Sequence, residues 1–81
     1  MTEELSPSDR YRVLAVDDEH SMREFLEIAL EDFGYEVDLA ESLETARSRL
    51  QKQDYQIILI DLRLPDGTGI ELLTEMQGQF D

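Results

Sequence analysis

Two apolar runs in this chain end in carboxylates: VLAVDDE closes on Asp17, Asp18 and Glu19, and IILIDLRLPDG carries Asp61 at the end of its Ile/Leu stretch. An unbroken apolar run bounded by turn residues suits a strand buried on both faces, as in the middle of a parallel sheet. In open α/β sheets, ligands bind beyond the carboxyl ends of the strands, above all where the strand order reverses. Carboxylates brought together at such a place repel one another, so protons or a cation must compensate. With no Cys and one His in the chain, the donor set is all oxygen, which favours Mg²⁺, with Mn²⁺ as the alternative, over Zn²⁺. The loop is too short for an EF-hand and lacks its ligand spacing. A divalent ion beside an exposed Asp suits phosphoryl transfer, the Asp acting as nucleophile and becoming an aspartyl-phosphate. Asp61, alone at its strand end, is the best acceptor. Asp17 and Asp18 are then the metal-holding groups, and the backbone carbonyl of Arg63 is a further oxygen donor.

The same residues have plainer readings. Acids that follow a strand often serve as turn residues or cap the next helix. His20 reads as a loop residue, Met22 and Phe25 as core, and Arg63 as a side chain directed to solvent or toward an incoming phosphoryl group. Pro65, Asp66 and Gly67 shape a turn.

The elements that must position the acids follow in order. Residues 1–10 have no periodicity and read as a flexible leader. A first strand runs through Val13 to Val16. Ser21 and Glu24 form a capping-box pattern opening a helix, with Met22, Phe25, Leu26, Ala29, Leu30 and Phe33 at helical spacing and Gly34 as the stop. Tyr35, Val37 and Leu39 alternate with acids, the pattern of a half-exposed edge strand. Ser42 caps a second helix carrying Leu43, Ala46 and Leu50 on one face, with Arg47, Arg49 and Lys52 nearer its end, where positive charge suits the dipole. After the Ile57 strand and the Pro-Asp-Gly turn, Thr68 and Glu71 form another capping box. The helix they open points Ile70, Leu73 and Met76 inward and ends at Gly78.

The order is β-α-β-α-β-α with short connections, and right-handed crossovers are nearly obligatory between parallel strands. An edge-like second strand outside the first gives strand order 2-1-3, with the first helix on one face and the other two on the opposite face. Asp17, Asp18 and Asp61 then converge. The most apolar strand is left at the open edge, exposing backbone groups. The expectation is that the natural domain continues beyond Asp81, and that these residues alone are marginally folded or are completed by a second copy.

Composition narrows the function classes. The chain has 81 residues, one domain at most, with 7 Lys and Arg against 20 Asp and Glu and a formal charge of -13. That balance argues against direct nucleic-acid contact. Neither a membrane-spanning run nor a signal peptide is legible, so a cytoplasmic protein is expected. Glu27, Glu31, Glu44 and Glu75 read as solvating helix faces.

The VDDE of residues 16–19, the DLRLPDGTG of residues 61–69 and the βα order between them resemble the receiver domain of two-component response regulators. The LRLPDG wording further resembles regulators of the nitrogen-regulation type, whose receivers precede an ATPase module and a DNA-binding domain. The resemblance implies a flavodoxin-like, doubly wound α/β fold. It implies that Asp61 is phosphorylated by a sensor histidine kinase, that Asp18 binds Mg²⁺ directly, that Asp17 helps directly or through water, and that the Arg63 carbonyl completes the protein ligands. It also implies that the helix from Ser21 onward docks the kinase, with Glu24 and Glu27 as specificity positions. Such chemistry is self-phosphorylation from a donor rather than conventional enzymatic turnover.

The resemblance runs from Arg12 to about Gly78 and covers the first three of the family's five βα units, making residues 11–81 a partial receiver. The family's next strands end in Thr or Ser and in Lys, and its last helix packs on the first. Without those groups, phosphorylation and switching are expected to be impaired. The competing class is a binding or oligomerisation module that associates through its open sheet edge or its helices. A phosphatase with an aspartyl nucleophile ranks low, because Leu62 and Arg63, rather than a second acid, follow Asp61.

Overall fold

The sheet is organised around its most buried strand. The computed structural model describes residues 10–77; the expected leader, apart from Arg10, and the expected helix end at Gly78 lie outside the described residues. In β1 (Arg12–Val16), every residue from Val13 to Val16 is buried. β1 pairs in parallel with β2 (Glu36–Ala40) on one side and β3 (Ile57–Ile60) on the other, giving the expected order 2-1-3. In register, Val16 stands opposite both Ala40 and Ile60, so the three strands end level. The ladder runs one residue further: the Asp17 amide donates to Ala40 O at 3.0 Å and the Asp61 amide donates to Val16 O at 2.9 Å.

Alternation along β1 sends Leu14 and Val16 to one face and Val13 and Ala15 to the other. The first pair joins Ala40, Leu43, Ala46, Leu64, Leu72 and Met76 in one core, beneath α2 (Leu43–Lys52) and α3 (Gly69–Gln77). α1 (His20–Asp32) packs over β2 and β1. The division of helices between the faces is the expected one.

Several local expectations are corrected. The Ser21–Glu24 capping box does not form: α1 begins at His20, and its N-cap is Glu19, without a side-chain cap bond. Asp17 Oδ1 accepts the Glu19 amide at 2.9 Å, turning the chain before Ser21 is reached, and Glu24 sits 3.2 Å from His20 Nε2 instead. His20 is accordingly the first residue of a helix, not a loop residue. Met22 and Phe25 are not core; they are 40% and 63% exposed, and no α1 residue is fully buried. Among the described residues the sheet is three strands wide, and it covers only part of the apolar stripe of α1: Leu26, Ala29 and Leu30 are half-buried. The stop is as expected, with Gly34 at φ +93 and the Gly34 and Tyr35 amides donating to Glu31 O and Leu30 O in a Schellman pattern.

β3, expected to be buried on both faces, is half-buried, with Leu59 38% exposed, because among the described residues it pairs on one side only. It is followed by an antiparallel hairpin of β4 (Arg63–Leu64) and β5 (Gly67–Thr68), with Pro65 and Asp66 at its corner. The Thr68 hydroxyl accepts the Glu71 amide at 3.2 Å, as the capping pattern predicts. The helix phase is different. Ile70 and Leu73 face outward, and Gly69, Leu72 and Met76 are buried at i, i+3 and i+7. The close approach of Gly69 to the Asp61 backbone sets that phase.

Candidate functional site

Level strand ends bring the acids together. One carboxylate oxygen from each of Asp17, Asp18 and Asp61 lies within 4.8 Å of the others, with Asp17 and Asp61 half-buried and Asp18 exposed. Beyond its ladder bond to Ala40, Asp17 is held by two further contacts. Its side chain accepts the Glu19 amide, and its backbone oxygen accepts from Arg23 Nη1 at 2.8 Å. Asp61 Oδ1 accepts the amide of Arg63 at the long distance of 3.4 Å, leaving the carboxylate largely uncommitted. Arg63 itself is exposed at the start of the hairpin.

The donor chemistry fits a small hard cation. The three side-chain donors that meet here are carboxylate oxygens, and His20 is engaged with Glu24. Like charges at this spacing are costly unless compensated.

Sequence reasoning missed three residues around the acids. An ideal Cβ on Gly69 would stand 2.6 Å from both the Asp61 carbonyl oxygen and Ile60 Cγ2, so only glycine allows α3 to start there. A glycine at the first position of a helix, just after a Thr cap, was the available signal. Arg23 lies in the first turn of α1, and its contact with the Asp17 backbone has no sequence signature. Asp66, read only as a turn residue, accepts the amides of Leu43 at 2.8 Å and Glu44 at 3.0 Å at the start of α2. The Leu43 amide foremost, with that of Glu44 and the charge of Arg47, holds the Asp66 carboxyl below its ordinary range. Arg47 in turn makes a two-pronged pair with Glu75 at 2.7 and 2.8 Å, tying α2 to α3.

Asp17 and Asp61 also line an open groove of about 380 Å³, whose apolar walls are Val16, Met22, Leu26, Ile58, Leu59 and Ile60.

Level parallel strand ends, an acid triad and a following hairpin define a receiver. The chain belongs to the response regulator receiver domain family, whose family model matches residues 13–81. It is 38% identical over 68 residues to the response regulator protein PilR of Pseudomonas aeruginosa, covering 84% of this chain and 15% of PilR. Its structure is similar to that of the response regulator TrrA from Thermotoga maritima in complex with Mg²⁺-BeF, with TM-score 0.82 and 34% identity, over 86% of this chain and 61% of TrrA. It is also similar to the beryllofluoride-activated NtrC4 receiver domain dimer, with TM-score 0.79 and 33% identity, over 85% of this chain and 57% of that one. The chain thus spans less than two thirds of these solved receivers. No helix of the described residues is long and apolar enough to cross a membrane.

Proposed function

We propose that this chain is the phosphoacceptor part of a response regulator, taking a phosphoryl group from a sensor histidine kinase onto Asp61. The observation that carries this reading is the meeting of three carboxylates within 4.8 Å at two adjacent strand ends. In the transfer, an Asp61 oxygen attacks the phosphorus of a phosphohistidine. The P–N bond breaks, its electrons return to the imidazole, which takes a proton, and Asp61 becomes an aspartyl-phosphate. Asp17, Asp18, Asp61 and the backbone carbonyl of Arg63 are the groups that would hold Mg²⁺, with Mn²⁺ as the alternative. When bound, the ion neutralises carboxylate and phosphoryl charge. The complex of TrrA with Mg²⁺-BeF supports Mg²⁺.

The side of α1 that carries exposed Glu24 and half-buried Glu27 is the proposed kinase-docking face, and the cytoplasm is the proposed compartment. The charge of -13 leaves direct nucleic-acid contact to other parts of a regulator. Residues 11–81 correspond to the first three βα units of a five-unit receiver, which the 57–61% coverage of solved receivers supports. A relay assay tests the function: label passes from a phosphorylated kinase to this chain in Mg²⁺, and neither to Asp61→Asn nor in EDTA. Transfer to Asp61→Asn at the wild-type rate refutes the assignment.

The unpaired edge of β3 and the exposed Phe25, Ile28 and Leu59 favour a second reading, self-association through that edge. The NtrC4 receiver dimer lends it support as a mode of receiver assembly. Sedimentation across a dilution series separates the two readings: association without donor or Mg²⁺ favours the second, and a persistent monomer excludes it.

A further inference from the structure

Asp66 links two parts of the molecule that the acceptor chemistry does not obviously require to touch. The amides it accepts, those of Leu43 and Glu44, are the first two of α2 and have no partner within the helix. Yet α2 carries its own cap, because Ser42 Oγ accepts the Thr45 amide at 3.2 Å. The same two bonds also tie down the segment that carries Asp66. That segment starts at Asp61, whose Oδ1 meets the Arg63 amide, and closes where the Gly69 amide donates to Leu62 O at 3.0 Å. Gly69 also abuts the Asp61 carbonyl, and Gly67 approaches Leu43 so closely that a Cβ there would stand 2.5 Å from Leu43 Cδ1. One end of the hairpin therefore rests on the acceptor and its corner rests on α2. Among the hydrogen bonds of the described residues, those of Asp66 are the ones that fasten the corner.

We propose, resting on the phosphoacceptor reading of Asp61, that Asp66 is a positioning residue for the acceptor site. By clamping the β4–β5 hairpin to the start of α2, it holds Asp61 and Arg63 in register with Asp17 and Asp18. Hydrogen bonds to an ionised carboxylate are shorter and stronger than neutral ones, which suits a clamp. Binding at the site and closure of the clamp are then linked reciprocally, so Mg²⁺ slows hydrogen exchange at the Leu43 and Glu44 amides.

The test uses the full chain with Asp66→Ala, Asp66→Asn and Glu75→Gln. The last weakens the α2–α3 tie, removing its charge and one of its two acceptors, and touches no residue of the hairpin. Three quantities are read: the rate of adduct formation from a small acyl-phosphate in Mg²⁺, the melting temperature, and the amide resonances of Asp61 and Arg63. Asp66→Ala is expected to slow the adduct by about 10- to 100-fold, the scale for sub-ångström to 1 Å misplacement of reacting groups, and to move both resonances. Asp66→Asn, which turns an amide donor toward a backbone donor, falls between it and wild type. If Asp66→Ala does not fold, Asp66→Asn carries the same readings. Glu75→Gln lowers the melting temperature without changing the rate beyond about twofold. Equal slowing by Glu75→Gln and the Asp66 variants, or unmoved Asp61 and Arg63 resonances, overturns the proposal. If wild type forms no adduct, the phosphoacceptor reading fails, and the resonances still decide the positioning: moved, it stands; unmoved, it falls.

Discussion

Substituting Gly69 by Ala puts a methyl group about 0.8 Å too close to the backbone oxygen of the acceptor, since its Cβ would lie at 2.6 Å against an ordinary contact of 3.4 Å. Neither neighbour yields easily. One is the Asp61 carbonyl, and the other is Ile60 Cγ2 on a strand whose ladder to β1 is fixed. Overpacking of this kind costs about 1–3 kcal/mol. The gain in helix propensity returns at most about 1 kcal/mol. A net loss of about 1–2 kcal/mol in a domain of this size lowers the melting temperature by roughly 5 °C or more. The same displacement moves Asp61 relative to Asp17 and Asp18, and misplacement approaching 1 Å costs up to about 100-fold in rate. Thermal unfolding followed by circular dichroism, together with adduct formation read by intact mass, measures both effects. Gly34→Ala is the control. At φ +93 it is strained by about 1–2 kcal/mol, but nothing lies within 4 Å of its added Cβ, so stability falls while the adduct rate holds. A Gly69→Ala protein with wild-type stability and rate, or one slowed no more than Gly34→Ala, refutes the reasoning.

Other outcomes follow from the same structure. The Tyr55 hydroxyl is pushed up to about 12, by burial first and then by its 2.6 Å hydrogen bond to Asp38. The folded state therefore holds that proton more tightly than the unfolded one. Stability is full below about pH 10 and falls as pH rises toward 12, and denaturant titrations at both ends show this slope shrinking in Tyr55→Phe. Asp66 behaves in the opposite sense. Its lowered value stabilises the fold above the ordinary carboxylate range, and the contribution is lost on acidification, so Asp66→Asn flattens the acid limb of the stability profile. Mg²⁺ at about 100 times its Kd raises stability by about 2.7 kcal/mol. Asp18→Asn removes most of that rise and leaves the metal-free protein as stable as wild type or more so, because one of three crowded charges is gone; calorimetry with and without EDTA checks both.

The features legible in the sequence are those set by local pattern and connection length. Apolar runs at Val13–Val16 and Ile57–Ile60 locate strands, and short crossovers with an alternating second strand lead to the order 2-1-3 and hence to the meeting of the acids. What escaped depends on contacts made across the fold. The stripe containing Met22 and Phe25 shows which face of α1 is apolar, but not how much sheet lies beneath it. The start of α1 answers to the Asp17 side chain rather than to the Ser21 pattern, and the phase of α3 answers to the squeeze of Gly69 on Asp61. Asp66 resembles any turn acid until Leu43 and Glu44, more than 20 residues earlier, are seen in front of it.

The central claim is that Asp61, framed by Asp17 and Asp18, accepts phosphate, and intact mass tests it most directly. The folded chain is incubated with a small acyl-phosphate donor and Mg²⁺, beside an Asp61→Asn variant and an EDTA control. One phosphoryl adduct is expected, localised to Asp61 and absent from both controls. No adduct on a folded sample, or an adduct that survives in Asp61→Asn, contradicts it.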